Sequence, residues 1–193
     1  MTRLLLIRHA RSLIAGRLAG RLDVPAELPS ESALAQARGH LALLWQAPPP
    51  RLITSPALRC RQTAQALFPD LQPAEEARLQ EQDFGAWEGQ ELSALPDLGP
   101  LSRAELAAHR PPGGEAFLDI AARTAPALRR LAANGPAIII THAGVIRAAL
   151  GLALGDISQG LAFEIAPFSA TLLTALPGGN WSIGFVNLAL AAP

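Results

Sequence analysis

The sequence predicts an α/β fold in which a mostly parallel sheet is covered by helices on both faces. Residues 4–7 and 137–140 are continuous apolar runs, which are typical of strands buried on both sides. Segments with helical spacing of apolar residues lie between these runs and after the second one. Strands that alternate with helices favour a parallel sheet, because each parallel connection needs a crossover.

The first half of the chain supplies two predicted helices and a second strand. Residues 30–45 carry leucines at helical spacing, with Ser30 as the N-cap candidate and three prolines at 48–50 to close the helix. Residues 51–54 then predict a short strand, and residues 58–67 predict a helix.

The second half repeats the pattern and then departs from it. Residues 115–133 predict a longer helix, with Pro126 as a candidate kink, and residues 144–154 predict another after the second apolar run. The tail, residues 161–186, suggests strands joined by a turn at 177–180.

No repeat, low-complexity tract or linker divides the chain, so we expect a single domain over residues 1–193. The Gly- and Pro-rich segment 96–114 predicts a partly irregular loop and is a candidate cover for a site. Neither apolar run is long enough for a signal peptide or a membrane span.

The composition excludes several function classes. Sixteen acidic residues balance sixteen basic ones, so the chain lacks the net charge typical of proteins that bind nucleic acid or anionic membranes, and a small-molecule partner is expected. Every basic residue is arginine, which excludes a Walker lysine and a Schiff base. The single cysteine, Cys60, excludes an internal disulfide and suits a reducing compartment, so we expect a cytoplasmic protein. Nothing in the sequence indicates an oligomeric state.

Histidines follow both apolar runs. His9 and His142 would therefore lie at the carboxyl edge of the sheet, where open α/β sheets bind ligands. A lone histidine at such a place is as often structural as functional. Two of them, one preceded by Arg8, favour a shared pocket.

The surroundings of the histidines indicate phosphate chemistry. His142 precedes Ala143, Gly144 and a predicted helix, so free backbone N–H groups can approach an anion there. Arg59 follows the strand at 51–54 and offers a planar fork of donors suited to phosphate oxygens. An imidazole is a competent nucleophile toward phosphorus, and surrounding cations can stabilise the transferring oxygens, so we expect no metal or other cofactor. The sequence contains no metal-binding or serine-nucleophile motif.

Five segments in the same order resemble the motifs of the histidine phosphatase superfamily, which includes the phosphoglycerate mutases. They are LIRHARS at 6–12, TSPALRCRQTA at 54–64, LQEQDFGAWEG at 79–89, PGGE at 112–115 and THAGVIR at 141–147. Each segment alone would be a weak signal, but the set is specific.

The resemblance implies a three-layer α/β/α sandwich of the phosphoglycerate mutase type. It implies that His9 is the nucleophile, that Arg8, Arg59 and His142 bind phosphate, and that His142 also takes part in catalysis. It further implies that Glu81 protonates the leaving oxygen. For that last role Asp83 and Glu88 are competing candidates.

Three positions depart from the family pattern. Ala10 replaces the usual glycine after the nucleophile, and Ala15 stands where many members place an asparagine that contacts phosphate. Loss of that contact would lower phosphate affinity. Ala116 replaces a serine and removes a local helix cap.

Three other reactive side chains are expected to be structural. His40 lies in a predicted helix and His109 lies in the polar loop. Cys60 beside Arg59 suggests a cysteine phosphatase, but Ala66 stands where such a cysteine loop needs an arginine, so we expect Cys60 to serve in packing.

Within the family, the segment AGRLAGRLDVP at 15–25 resembles the Gly-Arg-x-Asp-x-Pro stretch of α-ribazole phosphatases of cobalamin assembly. This predicts a phosphatase that acts on a small phosphate monoester, with α-ribazole 5′-phosphate as a candidate. The alternatives are a cofactor-dependent phosphoglycerate mutase, against which the compact chain argues, and a weakly active regulatory module that binds phosphoproteins. Ala10 and Ala15 suggest the module, but retention of the whole set of two histidines, two arginines and a glutamate argues against it.

Overall fold

The computed structural model describes residues 1–14, 16–45 and 51–191. The prediction that the prolines at 48–50 close the first helix, and the interpretation of Ala15, lie outside the described residues.

Helices and strands alternate through most of the chain, as the sequence predicts. In chain order they are β1 (Thr2–Arg8), α1 (Glu31–Leu44), β2 (Arg51–Thr54), α2 (Leu58–Leu67), β3 (Ala74–Glu75), α3 (Arg103–Ala108), α4 (Phe117–Ala133), β4 (Ala137–Thr141), α5 (Ala143–Leu154), β5 (Ser169–Ala175) and β6 (Trp181–Ala189).

The strands form one six-stranded sheet in the order β3-β2-β4-β1-β5-β6. Strands β3, β2, β4 and β1 run parallel to one another, whereas β5 is antiparallel to both of its neighbours, β1 and β6. The central pair is β4 and β1, in which Arg8 stands opposite Thr141. The carboxyl ends of these two strands therefore meet side by side.

Helices cover both faces of the sheet, which confirms the three-layer α/β/α sandwich. Because alternate residues of a strand point to opposite faces, Leu4 and Leu6 pack under the layer of α4 and α5, while Leu5 and Ile7 pack under α1 and α2. This explains why the strand is apolar at every position rather than at every second one.

The helix boundaries agree with the sequence except at two places. Helix α4 begins at Phe117, two residues later than predicted, and it continues as one helix past Pro126. Helix α3 was predicted only as irregular loop. A capping box holds it, because Ser102 Oγ accepts a hydrogen bond from Glu105 N while the Glu105 carboxylate accepts one from Ser102 N.

The tail confirms the prediction of strands joined near residues 177–180. Strands β5 and β6 pair on either side of a short helical turn, Pro177–Gly179. Among the described residues, no helix is long and apolar enough to span a bilayer.

Candidate active site

The two histidines predicted at the strand ends lie together. His9 directly follows β1 and donates its backbone N–H to Thr141 O at 2.9 Å, while His142 directly follows β4. Their ring centroids are 5.0 Å apart in an edge-on arrangement. The parallel pairing of two adjacent strands thus produces the shared site.

The hydrogen bonds of His9 define which of its nitrogens is free to react. Its Nδ1 lies 2.6 Å from Ala10 O, and Arg59 Nε donates to its Nε2 at 3.2 Å. Since Nε2 accepts a hydrogen bond, Nδ1 must carry the ring proton. Burial, reinforced by the neighbouring Arg59, lowers the pKa of His9 to about 3. The imidazole is therefore neutral at physiological pH, with a lone pair on Nε2.

Arg59 is almost completely buried, with 1% of its surface exposed. It is the second residue of α2, and its terminal nitrogens donate to Gly20 O at 2.6 Å and to Leu22 O at 2.8 Å. The helix start itself is capped from outside, because Asp23 Oδ1 accepts from Leu58 N at 2.6 Å. The loop that contains residues 16–25 therefore holds this arginine in place.

His142 is held as a neutral ring by Arg59 and Ser55, with Cys60 Sγ a third neighbour at 3.5 Å from its Nε2. Arg59 Nη2 lies 3.2 Å from its Nδ1, and Ser55 Oγ lies 2.8 Å from its Nε2. Because the guanidinium can only donate, Nδ1 accepts and Nε2–H donates to the serine. Complete burial, together with the nearby His9 and Arg59, holds the pKa of His142 well below its usual range.

Arg8, the last residue of β1, is only partly satisfied by the protein. Its Nη1 donates to Ile165 O at 2.5 Å, and among the described residues its buried Nε has no partner. Burial lowers the pKa of Arg8, Glu81 offsets this only in part, and Arg147 and Arg59 add to the lowering. A buried donor without a partner is costly, so Arg8 is suited to an anionic ligand.

Two adjoining cavities meet at these side chains. The larger, about 270 Å³, is lined by Arg8 and His9, and the smaller, about 230 Å³, is lined by His142. Arg59 and Glu81 line both cavities. A phosphoryl group at the junction would lie within reach of both histidines. No residue of the segment 96–114 lines either cavity, so the expectation that this segment covers the site is wrong.

Of the three candidate acids, Glu81 alone lines the cavities. The Glu88 carboxylate accepts from the backbone N–H groups of Arg21 and Phe84, and Asp83 Oδ1 accepts from Gly85 N at 2.8 Å. Glu81 Oε2 instead accepts from Gly144 N, at 3.2 Å, on the first turn of α5. A Cβ at position 144 would overlap Glu81 Oε1, so the glycine provides the space for this carboxylate.

Comparisons with known proteins agree with this geometry. A family model described as the histidine phosphatase superfamily (branch 1) matches residues 4–188. The chain belongs to this superfamily. It is 31% identical over 170 residues to the glucosyl-3-phosphoglycerate phosphatase of Mycobacterium tuberculosis, covering 79% of this chain and 74% of the relative.

Solved structures resemble this histidine phosphatase over nearly their whole length. A mycobacterial glucosyl-3-phosphoglycerate phosphatase in complex with inorganic phosphate superposes with a TM-score of 0.80 at 25% identity and covers 100% of both chains. A protein from Thermus thermophilus superposes with a TM-score of 0.72 at 28% identity, over 97% of this chain and 99% of that one.

Residues 79–89, which include Glu81 and which we call the acid segment, are held from behind by an arginine that was not singled out from the sequence. Arg123, on α4, donates to the carbonyls of Arg78, Gln80 and Glu81 at 2.8 to 2.9 Å. Its Nε and Nη2 also bind both carboxylate oxygens of Glu115 at 3.0 Å. We call Arg123, Glu115 and the backbone they hold the acid-segment clamp.

Glu115 joins the clamp to the loop beside the cavity. It accepts from Asp83 N at 3.1 Å and pairs with Arg21 at 2.9 Å. Partial burial acts to raise the pKa of Glu115, but the hydrogen bonds from Arg123 and from the Asp83 backbone outweigh it and leave that pKa lowered. The PGGE motif therefore supplies a positioning carboxylate rather than the first residue of a helix.

Two hydroxyl residues near the histidines were also missed from the sequence. Ser55 binds His142, and Thr63 Oγ1 accepts from Ala10 N at 3.0 Å while donating to Arg59 O at 2.7 Å. Both lie inside the TSPALRCRQTA motif, and both are buried. The signal available from the sequence was their place in this motif, whereas their burial is visible only in the structure.

The remaining reactive side chains lie outside the pocket or are inert. His40 Nδ1 lies 2.9 Å from Leu190 O, and His109 stacks on Trp87 with centroids 5.5 Å apart. Burial raises the pKa of Cys60 to about 12, so its thiol stays protonated. Ala116 gives α4 no side-chain cap of its own, as expected. No group of three or more metal-ligating side chains occurs within the described ranges, and independence from metal stays a prediction.

Proposed function

We propose that this protein is a phosphoric monoester hydrolase that works through a phosphohistidine on His9. The observation that carries the proposal is the hydrogen-bonded orientation of that ring. Its Nδ1 proton is directed to Ala10 O, and its Nε2 lone pair points to the Arg59 guanidinium, where a bound phosphate would lie. A neutral, oriented imidazole beside unpaired cations is suited to attack phosphorus.

In the first step, the phosphate ester binds at the junction of the two cavities, between Arg8, Arg59 and His142. His9 Nε2 attacks phosphorus and forms the P–N bond as the bond from phosphorus to the ester oxygen breaks. The Glu81 carboxylic acid gives its proton to the departing oxygen, which leaves as the alcohol. The guanidinium groups stabilise the negative charge on the transferring oxygens.

In the second step, water hydrolyses the phosphohistidine. The Glu81 carboxylate removes a proton from the water as its oxygen attacks phosphorus, and the P–N bond breaks with its electron pair returning to His9 Nε2. Inorganic phosphate leaves, and both His9 and Glu81 regain their starting protonation states. No proton has to come from Cys60.

The relatives support a sugar-acid phosphate as substrate more than α-ribazole 5′-phosphate. In the stretch that resembles α-ribazole phosphatases, Arg21 pairs with Glu115 and Asp23 caps α2. Both side chains thus have partners within the protein and a structural role there, although they also line the smaller cavity. We therefore propose a small phosphate monoester of the phosphoglycerate type, with α-ribazole 5′-phosphate as the second candidate to be measured.

The test is to trap the intermediate. Brief mixing of wild type with ³²P-labelled substrate should give an acid-labile, alkali-stable phosphoenzyme, and His9→Ala should give none and should lose turnover. His40→Ala is a matched control and should keep both signals, because that ring lies outside the pocket. Full turnover by His9→Ala would refute the mechanism. Primer-dependent conversion of 3- to 2-phosphoglycerate, without release of phosphate, would instead indicate a mutase.

A further inference from the structure

The cavity contains a cation that the proposed phosphate chemistry does not use. Arg147 lies on α5 and lines the larger cavity together with Arg8 and His9. Its Nε donates to Phe163 O at 2.9 Å, which fixes the base of the guanidinium. Its two terminal nitrogens form no hydrogen bond with any part of the chain that the structure describes.

The other charges around the cavity leave Arg147 unbalanced. Arg17 also lines the cavity, but it pairs with Glu91 at 2.9 Å and donates to Gly89 O. Within the described residues, Arg8, Arg59 and Arg147 form no ion pair with a carboxylate. A dianionic phosphate would balance Arg8 and Arg59, and Glu81, the carboxyl group that also lines this cavity, would carry the proton that it is proposed to donate. One positive charge would then remain at Arg147.

The position of Arg147 sets how far a second anion would lie from the phosphate. Gly144, at the start of α5, and Arg147 are one helical turn apart, roughly 5 Å along the axis. Helical side chains lean toward the N-terminus, so the guanidinium is directed toward the end of α5 that adjoins the phosphate site. Arg147 is also close enough to Arg8 to contribute to lowering the pKa of Arg8.

We propose that Arg147 is a specificity-determining residue that binds a carboxylate on the alcohol part of the substrate, a few bonds from the phosphate. A single guanidinium with two parallel free donors matches a singly charged, planar carboxylate better than a second dianionic phosphate. The same cavity is lined by the apolar side chains of Phe117 and Leu161, and its uncharged polar side chains, Ser12 and Gln82, cannot supply the positive charge that favours a carboxylate. This inference rests on the proposed function, since it places the phosphate at the His9 site.

The experiment uses two ligands that differ only in the carboxylate, 3-phosphoglycerate and glycerol 3-phosphate. Calorimetric titration of His9→Ala, which cannot turn them over, should show 3-phosphoglycerate binding about tenfold to a hundredfold more tightly. Adding Arg147→Met should reduce this ratio to about two. Arg147→Lys should give an intermediate ratio, because it keeps the charge and loses the fork. Arg129→Met, on the exposed surface of α4, is the matched control and should leave the ratio unchanged.

Equal affinity for the two ligands, failure of both to bind, or a ratio that Arg147→Met does not change would overturn the inference. If Arg147 serves only to hold Phe163 O, Arg147→Met would lower the unfolding temperature and leave the ratio intact. Hydrolysis of nitrophenyl phosphate by wild type tests the proposed function separately. Activity there combined with equal binding of the two ligands would reject the role of Arg147 and retain the phosphatase.

Discussion

The arginines of the acid-segment clamp and those of the cavity differ in how completely the protein satisfies their hydrogen bonds. In the acid-segment clamp, every nitrogen of Arg123 donates to a carbonyl or to Glu115. In the cavity, Arg8 keeps a buried nitrogen without a partner and Arg147 keeps two free terminal nitrogens, as far as the described residues extend. Arg59 lies between these extremes, since the donors it uses reach backbone carbonyls and the two histidines.

The number of hydrogen bonds that each guanidinium makes within the protein distinguishes arginines that stabilise the fold from arginines that are available to bind a ligand. A fully paired guanidinium holds its neighbours because removing it would leave several buried acceptors unsatisfied. A guanidinium without a carboxylate in a partly buried site is unfavourable until an anion arrives. Substitution of the arginine in the clamp should therefore lower stability strongly. Substitution of an arginine in the cavity should instead lower activity with little loss of stability.

The largest effect is expected at Glu81, which lies between the regions. Glu81→Gln keeps the size of the side chain and removes the acid, so the first step should slow by about two to four powers of ten for an alkyl phosphate. A nitrophenolate needs little protonation, so nitrophenyl phosphate should lose far less. Rapid-quench measurement of phosphoenzyme formation separates this step from hydrolysis. An equal loss for both substrates would mean that Glu81 is not the general acid, and Asp83 and Glu88 would be tested next.

A smaller effect, on the free energy of unfolding, is expected when one arginine of each region is substituted in turn. Arg123→Met should lower the free energy of unfolding by about 2 to 4 kcal/mol, because carbonyls of the acid segment and Glu115 lose their donors. Arg8→Met should change it by about 1 kcal/mol or less while greatly reducing turnover. Urea denaturation followed by circular dichroism measures both. Comparable destabilisation by the two variants would remove the distinction between the regions.

Arg123→Met should also slow alkyl phosphates more than nitrophenyl phosphate, because the clamp positions the segment that carries Glu81. A variant of Arg123 that lost both substrates equally would show that the clamp acts on folding alone. Arg129→Met, on the exposed side of the same helix, is the control, since it should show neither selectivity nor a stability loss of that size.

The smallest effect concerns pH and His9. The pKa of His9 is about 3 in the folded protein, below the ordinary value of 6.5, so between these values the unfolded chain binds more protons. Stability should therefore fall as pH falls through this window. His9→Gln removes this contribution, so the variant should gain up to about 2 kcal/mol relative to wild type between pH 7 and pH 4.5. A constant difference between the two proteins would show that His9 is not held neutral.

The sequence predicted the elements whose signals are local. The apolar runs of β1 and β4 and the Ser30 cap of α1 are visible in a few consecutive residues. Helix α3 was missed because its capping box, Ser102 to Glu105, lies in a segment dominated by glycine and proline.

The sequence predicted those site residues whose side-chain type and motif indicate a chemical role. His9, His142, Arg8 and Arg59 share the cavities' junction, as the strand ends and motifs indicated. Whether an arginine is paired or free depends on contacts across the fold, as between Arg123 and the carbonyl of Gln80, 43 positions away. No local pattern separates Arg123 from Arg147.

The loop at residues 16–25 has two parts with different freedom to vary. Its later part, Gly20 to Asp23, is anchored by Arg59 and by the first turn of α2, so substitutions there would disturb phosphate binding itself. Its earlier part, with Leu18 and Ala19, borders the cavity and is held by backbone hydrogen bonds of Leu18 with Gly89 and Gln90, which do not depend on the side chain at position 18. Evolution can therefore change which alcohol the enzyme accepts through the earlier residues without altering the chemistry. The same division gives an engineer positions at which to change the substrate while Arg59 stays in place.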